Sequence, residues 1–224
     1  MTQIVMMAVL NKKILGKFEF FLINNYHVLL DIIFCSIIIL AIGFFVKSFT
    51  SSIFLFSYNM WTISIHLVGF AIPFIICLYS LYKVKIPLSS LLFGITSVTI
   101  MAFFVTVPVI EKGIVSPFPF SLFPAIVGSL ISLFMFHSDK LINRFVFSYN
   151  ICIFGVFFGA DVFHLPSLLI IRPDVPMNAI IGGAGVFDLI FISGVISCLF
   201  LLSHVLVYFL FMSLSRPKEI SLNI

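Results

Sequence analysis

Two aspartates are the residues of this sequence that are best suited to take part in a chemical reaction or to bind an ion. Only eight of the 224 residues are acidic, yet Asp161 lies within "FGADVFHLPSL" and Asp188 within "IGGAGVFDLIFISG", both among apolar residues and glycines. A charged side chain at the centre of a membrane helix costs roughly 3 kcal/mol on insertion scales, so an acid in such a stretch is a functional candidate. The pair could supply the acid and the base of a hydrolysis reaction, or it could hold a proton or a cation.

The surroundings of the two carboxyl groups differ along the sequence. Asp188 begins an apolar helical stretch and follows the amides of Gly183 to Gly185, which favour its charged form. Asp161 lies near the end of another helical stretch, among phenylalanines. Unlike surroundings can leave one carboxyl ionised and the other protonated, as an aspartyl hydrolase requires. A structural interpretation is also open, in which Asp188 caps its helix and Asp161 bonds His164.

Five further residues complete the predicted site, as binding groups for substrate or ion beside the catalytic Asp161 and Asp188. They are His164, Gly182, Gly183, Gly185 and His66. Packing is the ordinary interpretation of a membrane histidine such as His66, and the glycines could serve only a tight turn. The cysteines lie singly and lack zinc-ligand spacing, and no phosphate-binding loop occurs, so no metal or other cofactor is expected.

The composition is that of an integral membrane protein. Hydrophobic residues make up 62% of the chain and charged residues 9%, and thirty residues are phenylalanine. A soluble domain of this size would have too little polar surface to meet water. The net charge of +4 comes from loop lysines and arginines, so the expected partners are the lipid bilayer and a membrane peptide or an ion, and not nucleic acid.

The apolar stretches predict an all-α membrane bundle with about six transmembrane helices. The predicted membrane domain covers residues 27–214, between an interfacial segment over 1–26 and a cytoplasmic tail over 215–224. The segment "PSLLIIRPDVPMNAIIGGAG" contains three prolines and three glycines, so a broken or re-entrant segment is predicted between the last two spans. The spans are predicted at residues 27–46, 60–82, 88–107, 119–137, 145–165 and 186–213.

The basic residues predict the orientation of these spans. Nine of the twelve lysines and arginines fall in segments that would share one face with the N-terminus. Because positively charged loops stay on the cytoplasmic side, we predict a multi-pass protein of the cell membrane with both termini in the cytoplasm. This topology would place Asp161, Asp188 and His66 near the outer leaflet.

The C-terminal half resembles a prokaryotic family of polytopic membrane proteins known as domain of unknown function 1614. The resemblance is carried by "GADVFHL" and "IGGAGVFDLIFISG", with "VPVIEKGIVSPFPFSLFPAIVGSLISL" upstream, and it implies the fold and both aspartates but no activity. The chain is less closely similar to the presenilin and signal-peptide-peptidase class, in which an aspartate of one span works with another in a glycine-x-glycine-aspartate motif. Here two extra residues separate Gly185 from Asp188.

Two function classes follow from these observations. The leading hypothesis is an intramembrane aspartyl protease that acts on membrane peptides through Asp161 and Asp188. The alternative is a proton- or cation-coupled transporter, or a membrane binding protein, in which the same carboxylates hold the ion. Six spans are few for a monomeric transporter, so a homo-oligomer is expected in that case.

Overall fold

The structure is a computed structural model that describes residues 52–109, 113–136 and 141–214. All of these residues belong to one unit, which lies within Val46–Ile224. The predicted interfacial segment 1–26, first span 27–46 and tail 215–224 lie outside the described residues, so these predictions stay untested.

Six α-helices make up most of the described chain. Two π-helical turns adjoin them: Leu67–Ala71 leads into the first helix, and Phe157–Val162 continues the fourth. Three of the helices have a proline in their first turn, where the missing N–H leaves no helical hydrogen bond unmade. The helices are α1 (Ile72–Lys83), α2 (Leu88–Val105), α3 (Phe123–Met135), α4 (Leu141–Val156), α5 (Leu165–Ile170) and α6 (Leu189–Leu214).

Three helical segments are long and apolar enough to cross a membrane, which indicates a membrane protein. They are Leu88–Val105, Leu141–Ile170 and Leu189–Val207, and the second of these joins α4, its π-helical turn and α5. Two shorter apolar helices cover Leu67–Lys83 and Phe120–Met135. The predicted count of about six spans is therefore not reached among the described residues.

A three-stranded sheet is the main departure from the predicted all-α fold. Strands β1 (Ser52–Tyr58) and β2 (Trp61–His66) form an antiparallel hairpin, and β5 (Met177–Ile181) pairs with β2 in parallel. The prediction of a span over 60–82 was wrong in its first residues, because "WTISIH" alternates apolar and polar side chains as a strand does. Strands β3 (Val107–Val109) and β4 (Gly113–Val115) form a separate hairpin.

The segment between α5 and α6 is broken, as predicted, and it is attached to the three-stranded sheet. After α5 the chain runs through a loop into β5 and then through a turn into α6. The indole Nε1 of Trp61 donates a hydrogen bond of 2.7 Å to the carbonyl oxygen of Ile171, which fixes the start of the loop to β2. Trp61 also packs with Ile63 and Leu168, so α5 lies against the sheet.

The core lies among α2, α3, α4 and α6. Gly155 and Gly159 let α4 and the π-helical turn that continues it pack closely on α2. A Cβ atom at Gly155 would lie 2.5 Å from the Cβ of Val98, and one at Gly159 would lie 2.8 Å from the Cβ of Ala102. This close approach sets the position of Asp161, which lies two residues after Gly159.

Candidate functional site

One cavity holds both aspartates. It has a volume of about 290 Å³, and Asp161 and Asp188 both line it. The other residues of its wall have mainly apolar side chains and come from β2, β4, α5, β5 and the turn after β5. The structure thus brings together the two carboxyl groups that lie 27 residues apart in the sequence (188 minus 161).

Asp161 lies on the π-helical turn Phe157–Val162, where the fourth helical segment widens before α5. Turns of this kind occur often at functional sites. The Asp161 side chain is half-buried, and within the described part of the chain its carboxyl accepts no hydrogen bond. It lies close enough to Asp188 for the charge of one carboxyl to act on the other.

Asp188 caps the N-terminus of α6. Its backbone is extended, and its Oδ1 accepts a hydrogen bond of 3.0 Å from the N–H of Ile190. Its Oδ2 accepts a longer one of 3.4 Å from the N–H of Ala184. The capping role that was one of the two interpretations of Asp188 is therefore present, and the capping oxygens belong to a side chain that also lines the cavity.

The electrostatics of Asp188 differ from the expectation that its charged form is favoured. Burial raises the pKa of the Asp188 carboxyl to about 6, although the hydrogen bonds from Ile190 and Ala184 lower it. Of the amides of Gly183 to Gly185 that were expected to act, only that of Ala184 donates to Asp188, because those of Gly183 and Gly185 donate to Ile180 and Gly182. Desolvation outweighs the two donors that are present. A carboxyl with this pKa exchanges its proton near neutral pH.

His164 lies away from the cavity wall and bonds a different residue from the one proposed. Its Nε2 lies 3.1 Å from the carbonyl oxygen of Phe103, and its ring stacks on the Phe103 ring at 4.5 Å between centroids. The side chain is buried. His164 thus ties the segment that carries Asp161 to α2, and the suggested Asp161–His164 hydrogen bond is absent among the described contacts.

His66 also has a structural contact. Its Nδ1 accepts a hydrogen bond of 3.1 Å from the N–H of Gly69, which caps the π-helical turn Leu67–Ala71. Among the predicted site residues other than the aspartates, only Gly183 lines the cavity.

Gly182 and Gly185 shape the turn between β5 and α6. Both have positive φ values, of 73° and 63°, which residues with a side chain rarely adopt. A Cβ at Gly182 would lie 2.8 Å from the backbone nitrogen of Phe70, because this turn crosses the backbone at Gly69. These two glycines therefore hold Asp188 in place without touching the cavity themselves.

Two residues that matter to the site escaped the sequence prediction. Gly69 is the partner of Gly182 in the backbone crossing, and Asn178 lines the cavity from β5. The alternation of "WTISIH" could have placed a strand just before Gly69, but no local signal pairs that strand with a segment more than 100 residues later. Among residues 52–109, 113–136 and 141–214, no group of three His, Cys, Asp or Glu side chains could hold a metal ion.

Comparison with known protein families gives a match over most of the chain. A family model described as a protein of unknown function (DUF1614) matches residues 35–200. The chain belongs to this family. The DUF1614 match includes both aspartates and every other predicted site residue, and it extends beyond the C-terminal half in which the resemblance was noted.

The comparisons do not indicate an activity for this DUF1614 protein. No curated protein and no solved structure shows significant similarity to it. The weaker resemblance to the presenilin and signal-peptide-peptidase class gains no support from these comparisons. The cavity and its two carboxyl groups are therefore the features that bear on function.

Proposed function

We propose that the protein is an intramembrane aspartyl protease that hydrolyses peptide bonds in apolar membrane segments. The observation that carries the proposal is that Asp161 and Asp188 line one cavity but have different hydrogen-bond surroundings. Apart from these acids and Asn178, the cavity wall is largely apolar or glycine, with Ile63 and Leu165 among the residues that line it. Such a wall suits an apolar peptide better than a charged metabolite.

Asp188 is the general base in this proposal. The N–H groups of Ile190 and Ala184 stabilise its carboxylate, which takes a proton from water as the oxygen attacks the carbonyl carbon of the substrate. Asp161 donates its proton to the carbonyl oxygen, and a tetrahedral diol forms.

Collapse of the diol breaks the carbon–nitrogen bond and completes the reaction. Asp161 takes a proton back from a hydroxyl group of the diol, and Asp188 gives its proton to the leaving nitrogen. The products are a carboxylic acid and an amine, and both side chains return to their starting states. The mechanism needs water, the two carboxyl groups and a peptide bond, with no other reactant.

The test uses purified protein in phosphatidylcholine vesicles with a panel of synthetic single-span peptides. Mass spectrometry should detect defined cleavage products. Asp161→Asn and Asp188→Asn should each reduce the cleavage rate at least about 1,000-fold, because neither amide can replace the lost acid or base. Asp174→Asn is the matched control, since Asp174 is an exposed acid in the loop before β5, and it should cleave like the wild type.

A second measurement addresses peptides that are the wrong substrates. A hydroxyl-containing mimic of the tetrahedral diol should bind wild-type protein and bind either aspartate variant at least about 100-fold more weakly. If the protein neither cleaves any peptide nor binds the mimic, the protease proposal is wrong.

A proton-coupled carrier is the second candidate, and the pKa of about 6 at Asp188 favours it. A group with this pKa loads and releases a proton over a physiological pH range. A pH-sensitive dye inside vesicles would report proton flux that is lost in Asp188→Asn. Flux without cleavage would select the carrier, and cleavage without flux would select the protease.

A further inference from the structure

The cavity lies along one edge of β5. Four consecutive residues of this strand line the cavity, from Asn178 to Ile181. Successive side chains of a strand point to opposite faces, so a cavity over one face would contact only alternate residues. The cavity therefore borders the edge of the strand, where the backbone is exposed.

This edge is the one that β2 does not occupy. The strand order is β1-β2-β5, so β5 ends the sheet, and no other described strand pairs with it. Hairpin β3–β4 contributes Gly113 and Ile114 to the cavity wall, but it forms a separate sheet.

The direction of the peptide groups follows from one hydrogen bond. The N–H of Met177 donates to the carbonyl oxygen of Met60 at 3.0 Å, so Met177 points its backbone groups toward the hairpin. In a parallel ladder this direction alternates along the strand, so Asn178 and Ile180 point theirs toward the cavity. The Ile180 oxygen already accepts the N–H of Gly183 at 3.0 Å. Among the hydrogen bonds of residues 52–109, 113–136 and 141–214, none engages the N–H and C=O of Asn178 or the N–H of Ile180, so these groups can pair with a ligand.

We propose that this free edge of β5 binds the substrate as an added strand, with the main chain of an apolar peptide paired to Asn178 and Ile180. The inference rests on the proposed protease function and specifies the substrate as an extended peptide segment. A peptide bond in a helix has its N–H and C=O bonded within the helix, so the segment must unwind before water can attack it. Unwound backbone in an apolar setting needs new partners, which the edge supplies.

The position of the aspartates agrees with this mode of binding. Strand β5 continues directly into the Gly182–Phe187 turn, and this turn ends at Asp188. A peptide strand beside Asn178 and Ile180 lies in the same cavity as both carboxyl groups. The edge thus fixes the register of the substrate and the acids act on the bond that this register presents.

The experiment measures binding separately from turnover. The probe is a synthetic peptide of about 20 leucine and alanine residues with a valine- and glycine-rich outer end, and the protein is the Asp161→Asn variant in phosphatidylcholine vesicles. Each backbone amide of the outer end is N-methylated in turn, which removes one N–H at a time. We expect affinity losses of about 5- to 10-fold at alternate positions, with little loss between them.

Variants at Ile180 test the protein side of the same pairing. Ile180→Pro removes the N–H that faces the cavity, a change that an edge strand tolerates. It should reduce the affinity for the probe peptide about 10-fold. Ile180→Ala shortens the side chain but keeps the N–H, and it should reduce the affinity for the probe peptide less than about 3-fold. Circular dichroism of both variants shows whether the fold is retained, and the N-methyl series gives the answer if the proline variant misfolds.

The outcomes separate this inference from the protease proposal. Alternating losses of affinity, in a protein that neither cleaves any peptide of the panel nor binds the diol mimic, would keep the binding edge and remove the protease. Cleavage with no alternation, or with Ile180→Pro equal to Ile180→Ala in folded protein, would remove the edge and keep the protease. A probe that fails to bind at all would count against the edge.

Discussion

Glycines in two regions of the molecule face different obstacles. In the helical bundle, a Cβ at Gly94 or Gly194 would meet side chains, those of Ile151 in the first case and of Tyr149 and Ile153 in the second. Near the aspartates, a Cβ at Gly69 would meet the backbone at Gly182, and one at Gly159, two residues before Asp161, would meet the backbone oxygen of Thr99. Side chains can move to other rotamers, whereas a backbone crossing moves only with its whole segment.

This difference shows which parts of the fold are exacting. The bundle is held by apolar contact, which many combinations of side chains can provide. The site depends on a turn that passes within contact distance of another turn, and both turns lack side chains where they cross. Asp188 lies six residues after Gly182, so the crossing determines where this carboxyl lies relative to Asp161.

The largest expected effect on stability is that of an alanine substitution at Gly69, compared with the same substitution at Gly194 in the bundle. Gly69→Ala would force its Cβ against the carbonyl oxygen of Gly182, and we expect the free energy of unfolding to fall by about 3 kcal/mol. Gly194→Ala meets only movable atoms, the nearest being the Cδ1 of Ile153 at 2.7 Å, and should cost about 1 kcal/mol. Thermal unfolding in detergent measures both.

The proposed cleavage activity sharpens this comparison. Gly69→Ala should also lose cleavage, because it displaces the turn that leads to Asp188, while folded Gly194→Ala should keep it. Equal stability losses in the two variants would mean that the crossing at Gly69 is as adaptable as the bundle.

How much the sequence could predict follows the same division. The broken segment and the candidate aspartates were visible because prolines, glycines and acids are conspicuous in an apolar chain. Helices α2 and α3 fall within predicted spans and α6 ends one residue beyond its predicted span, since long apolar stretches have few other solutions. What one sequence could not supply was pairing at a distance: β2 joins β5 across more than 100 residues, and no local pattern specifies that partner.

The histidines illustrate the same point at the level of single residues. His66 and His164 are predicted site residues because they are polar residues in apolar stretches, but both bond backbone atoms in the structure. A polar side chain in a membrane segment satisfies backbone groups as readily as it binds ligands. Sequence alone offers no means to separate these uses, since the backbone partners Gly69 and Phe103 carry no chemical signal.

The second prediction concerns the pH dependence of stability in the site region. Folding raises the pKa of Asp188 from its ordinary value of 3.8 to about 6, so the folded state holds this proton more tightly than the unfolded state does. The resulting stabilisation is complete below about pH 4 and is lost as the pH rises through 6. Asp188→Asn removes this titration but retains an oxygen that can cap α6.

The measurement is the difference in unfolding free energy between wild type and Asp188→Asn at several pH values. The wild type should lose stability relative to the variant as the pH rises from about 4 through 6. A difference that grows in the opposite direction would mean that the N–H groups of Ile190 and Ala184 outweigh desolvation at this carboxyl.

The smallest effect is expected for substitutions of His66. They decide whether this residue takes part in binding or reaction, or only stabilises the turn at Gly69. Its Nδ1 accepts the N–H of Gly69, so His66→Ala should cost about 1 kcal/mol of stability through the lost cap. His66→Asn offers an acceptor at a similar distance from the backbone and should recover most of this loss. Both folded variants should retain cleavage within about 3-fold, because the ring serves the turn and not the reaction. If His66→Asn restores stability but leaves cleavage reduced 100-fold, the imidazole itself takes part in binding or proton transfer, and the site extends to the end of β2.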